Sequence, residues 1–143
     1  MSIGLKCLAV SLKITEIHRS SDAKALNTEW FILKNGGEKP FSTKNCTLSV
    51  TRKGSKKKRE LGTLDPGFTL APGDSTRIVT GTPGRKAQGA PPEDGVTNYH
   101  LFLGAPVLKG KGTVLVFALR SHELVSQEFD PGAPQGIAAD PAD

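Results

Sequence analysis

The residues best placed to do chemistry are six cations packed into eight positions. They are Arg52, Lys53, Lys56, Lys57, Lys58 and Arg59, interrupted by Gly54-Ser55. Such a run binds anions. Six contacts to the phosphates of duplex DNA would give log K a slope of roughly −5 against log salt concentration. Flexible Lys and Arg side chains find phosphates without reading base edges, so that binding would tolerate any sequence. Arg85 and Lys86, and Lys109 and Lys111, are further cations in Gly-containing turns that could join the run in the folded chain. The plain alternative is a solvated turn whose charges discourage edge pairing.

The sequence offers little for catalysis. His18, His100 and His122 stand far apart, with neither H-x-x-x-H nor H-E-x-x-H spacing. Gly81-Thr82-Pro83-Gly84-Arg85-Lys86 echoes a phosphate loop but lacks its spacing, and Pro83 removes a backbone N–H that would cradle phosphate. There is no G-x-S-x-G nucleophile turn. Glu93-Asp94 adjoin in a turn and read as solvated charges, because calcium needs more oxygen ligands in register. Glu16 and Glu29 read as structural, capping or edge residues. Cys7 and Cys46 are too few for a structural zinc site and read as reduced thiols packed as small apolar groups. A Cys7–Cys46 bridge is the other option, and the distance that decides it is not in the sequence. The expectation is no catalytic, cofactor or metal site, and no enzyme.

All 19 basic residues lie in residues 1–129, with 11 of the 14 acidic ones, a net charge of +8 for that body. Asp130, Asp140 and Asp143 fall in a tail, residues 130–143, without Lys or Arg. A body so basic attracts nucleic acid, anionic surfaces or acidic proteins. No apolar stretch is long enough to span a membrane, and Lys6 and Lys13 break up the first apolar run, which reads as a strand and not as a signal peptide. The default location is cytoplasmic. No heptads mark a coiled coil.

The elements that must position these groups are strands. Leu8, Val10, Leu12 and Ile14 alternate with Ala9, Ser11, Lys13 and Thr15, with Ile17 at the end. Residues 19–28 read as a loop with a helical turn near Ala23–Leu26. Trp30-Phe31-Ile32-Leu33 is a continuous apolar run suited to a central strand buried on both faces. Cys46, Leu48 and Val50 alternate with Thr47, Ser49 and Thr51, and residues 60–64 alternate weakly, so the basic run becomes a hairpin tip. Further strands are predicted over Thr76–Thr80, Asn98–Leu103, Thr113–Leu119 and Leu124–Phe129. Turns are predicted at Asp65-Pro66-Gly67, Ala71-Pro72-Gly73-Asp74 and Lys109–Gly112. Residues 81–96 form a long surface loop. The 16 Gly and 10 Pro in 143 residues exceed the average usage of roughly 12%. The prediction is one all-β domain over 1–129, an antiparallel β-sandwich of about eight to nine short strands, with 130–143 as a disordered tail.

Certain residues also occur in a telling order. Ile14-Thr15-Glu16-Ile17 is followed by Glu29-Trp30-Phe31-Ile32-Leu33-Lys34-Asn35-Gly36-Gly37, Phe41 and the Thr47-Leu48-Ser49 strand. Leu70-Ala71-Pro72-Gly73-Asp74-Ser75, Leu103-Gly104, Val107-Leu108 and Lys109–Gly112 come after. The set resembles the lamin tail domain, over roughly residues 12–129. Asn45-Cys46 stands where that family carries a Trp, and Gly112-Thr113 where it carries Gly-Asp. The resemblance implies an immunoglobulin-like sandwich acting as a non-catalytic docking module, whose unidentified protein partner is met through loops or sheet edges. The alternative is sequence-tolerant nucleic-acid binding through the tip at 52–59. Trp30 is expected to supply the largest piece of the core, and Asn35-Gly36-Gly37 to supply positive φ at a strand end.

Overall fold

Alternating side chains decide which face of each strand is buried, and the strands pair accordingly. The computed structural model describes residues 11–20, 22, 24–108 and 110–138. Ten strands occur in it: β1 (Leu12–His18), β2 (Trp30–Asn35), β3 (Phe41–Ser42), β4 (Cys46–Arg52), β5 (Arg59–Thr63), β6 (Thr69–Leu70), β7 (Ser75–Val79), β8 (Thr97–His100), β9 (Thr113–Leu119) and β10 (His122–Glu128). One sheet has the order β1-β2-β7-β8, a second β10-β9-β4-β5, and β3 pairs with β6. Their inner faces share one apolar core. Leu12, Ile14, Ile17, Phe31, Leu33 and Ile78 come from the first sheet, and Cys46, Leu48, Leu115 and Phe117 from the second. The chain is an all-β sandwich, as its alternation predicts.

Leu12 and Ile14 obey period two, but Ile17 lies three residues beyond Ile14. A bulge between Ile14 and Glu16 shifts the register, so Ile17 pairs with Phe31 and returns to the core face. All three are buried. Leu8 and Val10, the start of the predicted strand, lie outside the described residues, as does Ala23; the predicted helical turn is a 3-10 turn at Leu26–Thr28. The apolar run of β2 does sit centrally, between β1 and β7.

Three expectations need correction. Trp30 is buried but lies outside the sandwich core. Neighbours on a strand point to opposite faces; Phe31 takes the inner face and Trp30 the outer. There the His18 ring stacks on the indole at 5.0 Å and 9°, and the Arg77 guanidinium covers it, 4.5 Å from the ring centroid. Second, the sheets are not wholly antiparallel: β8 runs parallel to β7. A parallel neighbour needs a crossover of a dozen or more residues, and the Gly- and Pro-rich loop at 81–96 supplies it. Third, residues 130–138 pack against the sandwich. A 3-10 turn at Pro134–Gly136 lies on β1. Phe129 bridges to Ile137, and the Asp130 N–H donates to the Gly136 carbonyl at 3.0 Å. Burial of Ile137 against the core holds this strap down.

The glycines divide by role. Gly73 has φ +84, as its turn requires. Gly36 and Gly37 do not have positive φ; what Gly36 provides is room, since a Cβ there would meet the Ser11 carbonyl at 3.3 Å. Asn35 organises the strand end with its side chain. Its amide donates to the carbonyls of Lys39 (2.8 Å) and Leu70 (3.0 Å), and its oxygen accepts from the Gly37 N–H (2.9 Å).

Candidate functional site

The basic run is the tip of the β4–β5 hairpin, as predicted. Ser49 pairs with Glu60 and Val50 with Arg59, and residues 53–58 form the connection. Gly54 turns the chain at φ +83. The Ser55 N–H donates to the Arg52 carbonyl (2.8 Å), and the Thr51 hydroxyl to the Lys57 carbonyl (2.6 Å). Residues 52–60 are all exposed. The turn before β9 is tied to this tip. The Lys53 N–H donates to the Gly112 carbonyl (2.8 Å), and Arg52 Nη2 donates to the Lys111 carbonyl (3.3 Å).

Lys111 therefore joins the tip, and Lys109 lies outside the described residues. Arg85 and Lys86 stay with the 81–96 loop. That loop is held to the 26–28 turn by Asn27, whose amide donates to the carbonyls of Thr82 (2.8 Å) and Gly89 (3.1 Å). Among the described residues, no hydrogen bond or ion pair links Arg85 or Lys86 to the tip.

The tip carries its own carboxylates. Lys53 faces Glu128 (3.6 Å), Lys58 faces Glu123 (3.9 Å) and Lys111 faces Asp130 (3.9 Å). Exposed pairs of this kind contribute about 0–1 kcal/mol each. Their importance is to the field: β10 threads acids among the cations. Lys56, Lys57 and Arg59 have no ion pair among the described residues. Beside them opens a cleft of about 380 Å³, lined by Val50, Arg52, Lys57, Lys58, Arg59 and the side chains of Val107 and Thr113.

A second surface was not singled out by sequence. Phe102 is 64% exposed, the large apolar side chain left in solvent among the described residues. Its φ is +59, a left-handed conformation uncommon for a bulky residue. The strand predicted over 98–103 is β8, which stops at His100; beyond it the Phe102 N–H donates to the Gly81 carbonyl (3.2 Å), and the Leu103 N–H to the Thr80 carbonyl (2.8 Å). Phe102 borders a groove of about 390 Å³ with Thr63, Asp65, Pro66, Tyr99 and Leu101. The groove runs beside β8, the edge strand of its sheet.

Glu29, Asp94 and Arg77 are engaged structurally. Glu29 is fully buried, and its carboxylate accepts the backbone N–H groups of Val107 (3.0 Å) and Leu108 (3.0 Å), clamping that loop to the start of β2. Asp94 is not merely solvated. It binds the guanidinium of Arg77, which is 1% exposed and also donates to Asn98 Oδ1 (3.0 Å) and the Pro92 carbonyl (3.3 Å). The Arg77 hydrogen bond, helped by the Val96 N–H, holds the Asp94 carboxyl below its usual range. Gly81 is wedged against Asn27, where a Cβ would sit 2.5 Å from Oδ1, while residues 83–86 are exposed. Cys46 carries a free, fully buried thiol, and burial pushes its pKa up to about 11. Cys7 lies outside the described residues. Among the described residues, no three His, Cys, Asp or Glu side chains gather as metal ligands, and no helix is long and apolar enough to cross a membrane.

No protein-family model matches the chain, and no curated protein matches its sequence.

Proposed function

We propose that this chain is a non-catalytic docking module of the lamin-tail type, an immunoglobulin-like sandwich that binds a protein partner at the β8 edge. The observation that carries this reading is Phe102. Solvent exposure of a large aromatic ring disfavours the free state, and its left-handed backbone adds a cost of roughly 1–2 kcal/mol. Strain of this kind is a pointer to function. An aromatic anchor beside an unpaired strand edge suits a partner that buries the ring and pairs with the edge backbone. The ordered motifs from Ile14 to Gly112 support the family assignment, and the sandwich is compatible with it.

The nucleic-acid alternative keeps Lys56, Lys57 and Arg59 as contacts. Glu123, Glu128 and Asp130 work against it, because a broad polyanion laid over the tip would bring phosphates onto these carboxylates. The docking reading is tested by capture from cells that make the chain, using the native protein and Phe102→Ser side by side. A protein retained by the native chain and lost with the variant supports it. Equal retention by both, or none by either, overturns it.

A further inference from the structure

We propose that the cleft under the basic tip is a second, separate site, which takes an acidic extended peptide segment bearing an apolar side chain. Its walls and its floor differ in chemistry. Arg52, Lys57 and Arg59 supply positive charge, while Val50 and the buried Val107 supply an apolar surface. The cleft's volume, about 380 Å³, lies in the range of roughly 300–1,000 Å³ usual for binding pockets. A ligand matched to both must carry carboxylates flanking an aliphatic group.

Three observations favour a peptide over nucleic acid. Of the cations lining the cleft, Lys57 and Arg59 have no ion pair among the described residues and Arg52 meets the Lys111 carbonyl, while Lys58 faces Glu123 at 3.9 Å. The cations farther out at Lys53 and Lys111 are matched by Glu128 and Asp130, so excess positive charge is concentrated at the cleft. Among the described residues no carboxylate lines the cleft, whereas a duplex laid across the tip would also cover Glu123, Glu128 and Asp130. Among the described residues no aromatic side chain lines the cleft, so unpaired bases would find nothing there to stack on. The guanidinium groups of Arg52 and Arg59 are suited to bidentate carboxylate contacts.

The test uses the full chain and fluorescence anisotropy at low and moderate salt. The probes are a labelled peptide alternating Glu and Leu, the same peptide with Gln for Glu, an all-Glu peptide and a random DNA duplex. Lys57→Gln/Arg59→Gln, which alters exposed positions only, is the variant, and circular dichroism checks its fold. The Glu–Leu peptide is expected to bind, to lose at least tenfold in affinity in the variant, and to outbind the other three probes. Phe102→Ser is expected to leave this binding unchanged, which separates failure here from failure of the β8-edge reading. Absence of Glu–Leu binding at low salt, an unchanged affinity in the variant, equal binding of the all-Glu peptide, or tighter binding of the duplex would each overturn the proposal.

Discussion

The guanidinium of Arg77 lies 4.5 Å from the centre of the Trp30 ring, on the outer face of the first sheet. The contact explains how a buried charge is tolerated. A cation over an indole gains about 1–2 kcal/mol when desolvated, and Asp94 neutralises the far side. The 81–96 loop that delivers Asp94 is thereby linked through Arg77 to the only Trp in the chain, so the indole reports on the loop.

The first prediction concerns acid. The Asp94 carboxyl is depressed in the folded chain, so it stabilises the fold above its unfolded pKa. That contribution is lost as pH falls through the folded value. Acidification is expected to lower the amide protection factors of residues 93–98 and alter Trp30 emission while the core stays folded. Asp94→Asn is expected to give the same loss of protection at neutral pH and to remove the acid dependence. Identical exchange profiles for native and variant chains would refute the loop's dependence on this pair.

A second prediction concerns the strap over β1. Gly136 has φ +72, and a Cβ there would come within 2.1 Å of the Ile17 carbonyl. Gly136→Ala must displace the strap or the strand, at a cost of about 2–4 kcal/mol. Urea unfolding measures this; a loss under 1 kcal/mol would show that the strap is not seated there.

Glu29 gives a third. Glu29→Ala removes the acceptor for two buried N–H groups, and an orphaned buried donor costs about 1–3 kcal/mol. Destabilisation by about 3 kcal/mol is expected, with Glu29→Gln in between. Thermal unfolding that places all three proteins together would contradict the clamp.

The fourth concerns Cys46. Its thiol titrates at about 11 in the fold against 9.0 when free. The unfolded chain ionises first, so stability from this residue is intact below about pH 9 and declines between there and about 11. Ellman's reagent should reach Cys46 only as fast as the chain unfolds. Rapid labelling of Cys46 in the native chain, located by peptide mapping, would be incompatible with that burial.

The chain sequence made some of this plain and hid the rest for identifiable reasons. The four apolar residues of β2 announced a strand buried twice over. Period two alone could not say whether Trp30 or Phe31 faced the core, since that depends on which sheet each face meets. The tip at 52–59 was legible because charge and turn residues are local. The acids that temper it, Glu123 and Glu128, reach it only through the β4–β9–β10 pairing, which is long-range. Phe102 looked like an ordinary strand residue, because a positive φ leaves no mark on a side chain's type. Asp130 to Ile137 looked featureless because a strap held by one Ile and backbone bonds has no periodicity to read.

Phe102 also joins strain to function. Phe102→Gly is expected to stabilise the free chain by about 0.5–1 kcal/mol, because glycine adopts this φ without steric cost. The same change removes the ring from the proposed docking edge. A destabilised variant would mean that the ring contributes to the fold instead.

The most direct measurement is photo-crosslinking in the cells that make the chain, with a benzoylphenylalanine in place of Phe102 and, as the control, in place of Ser121 in the exposed β9–β10 turn. The docking account predicts a discrete crosslinked protein from position 102 and none from 121. No product from 102, or the same products from both positions, would contradict it.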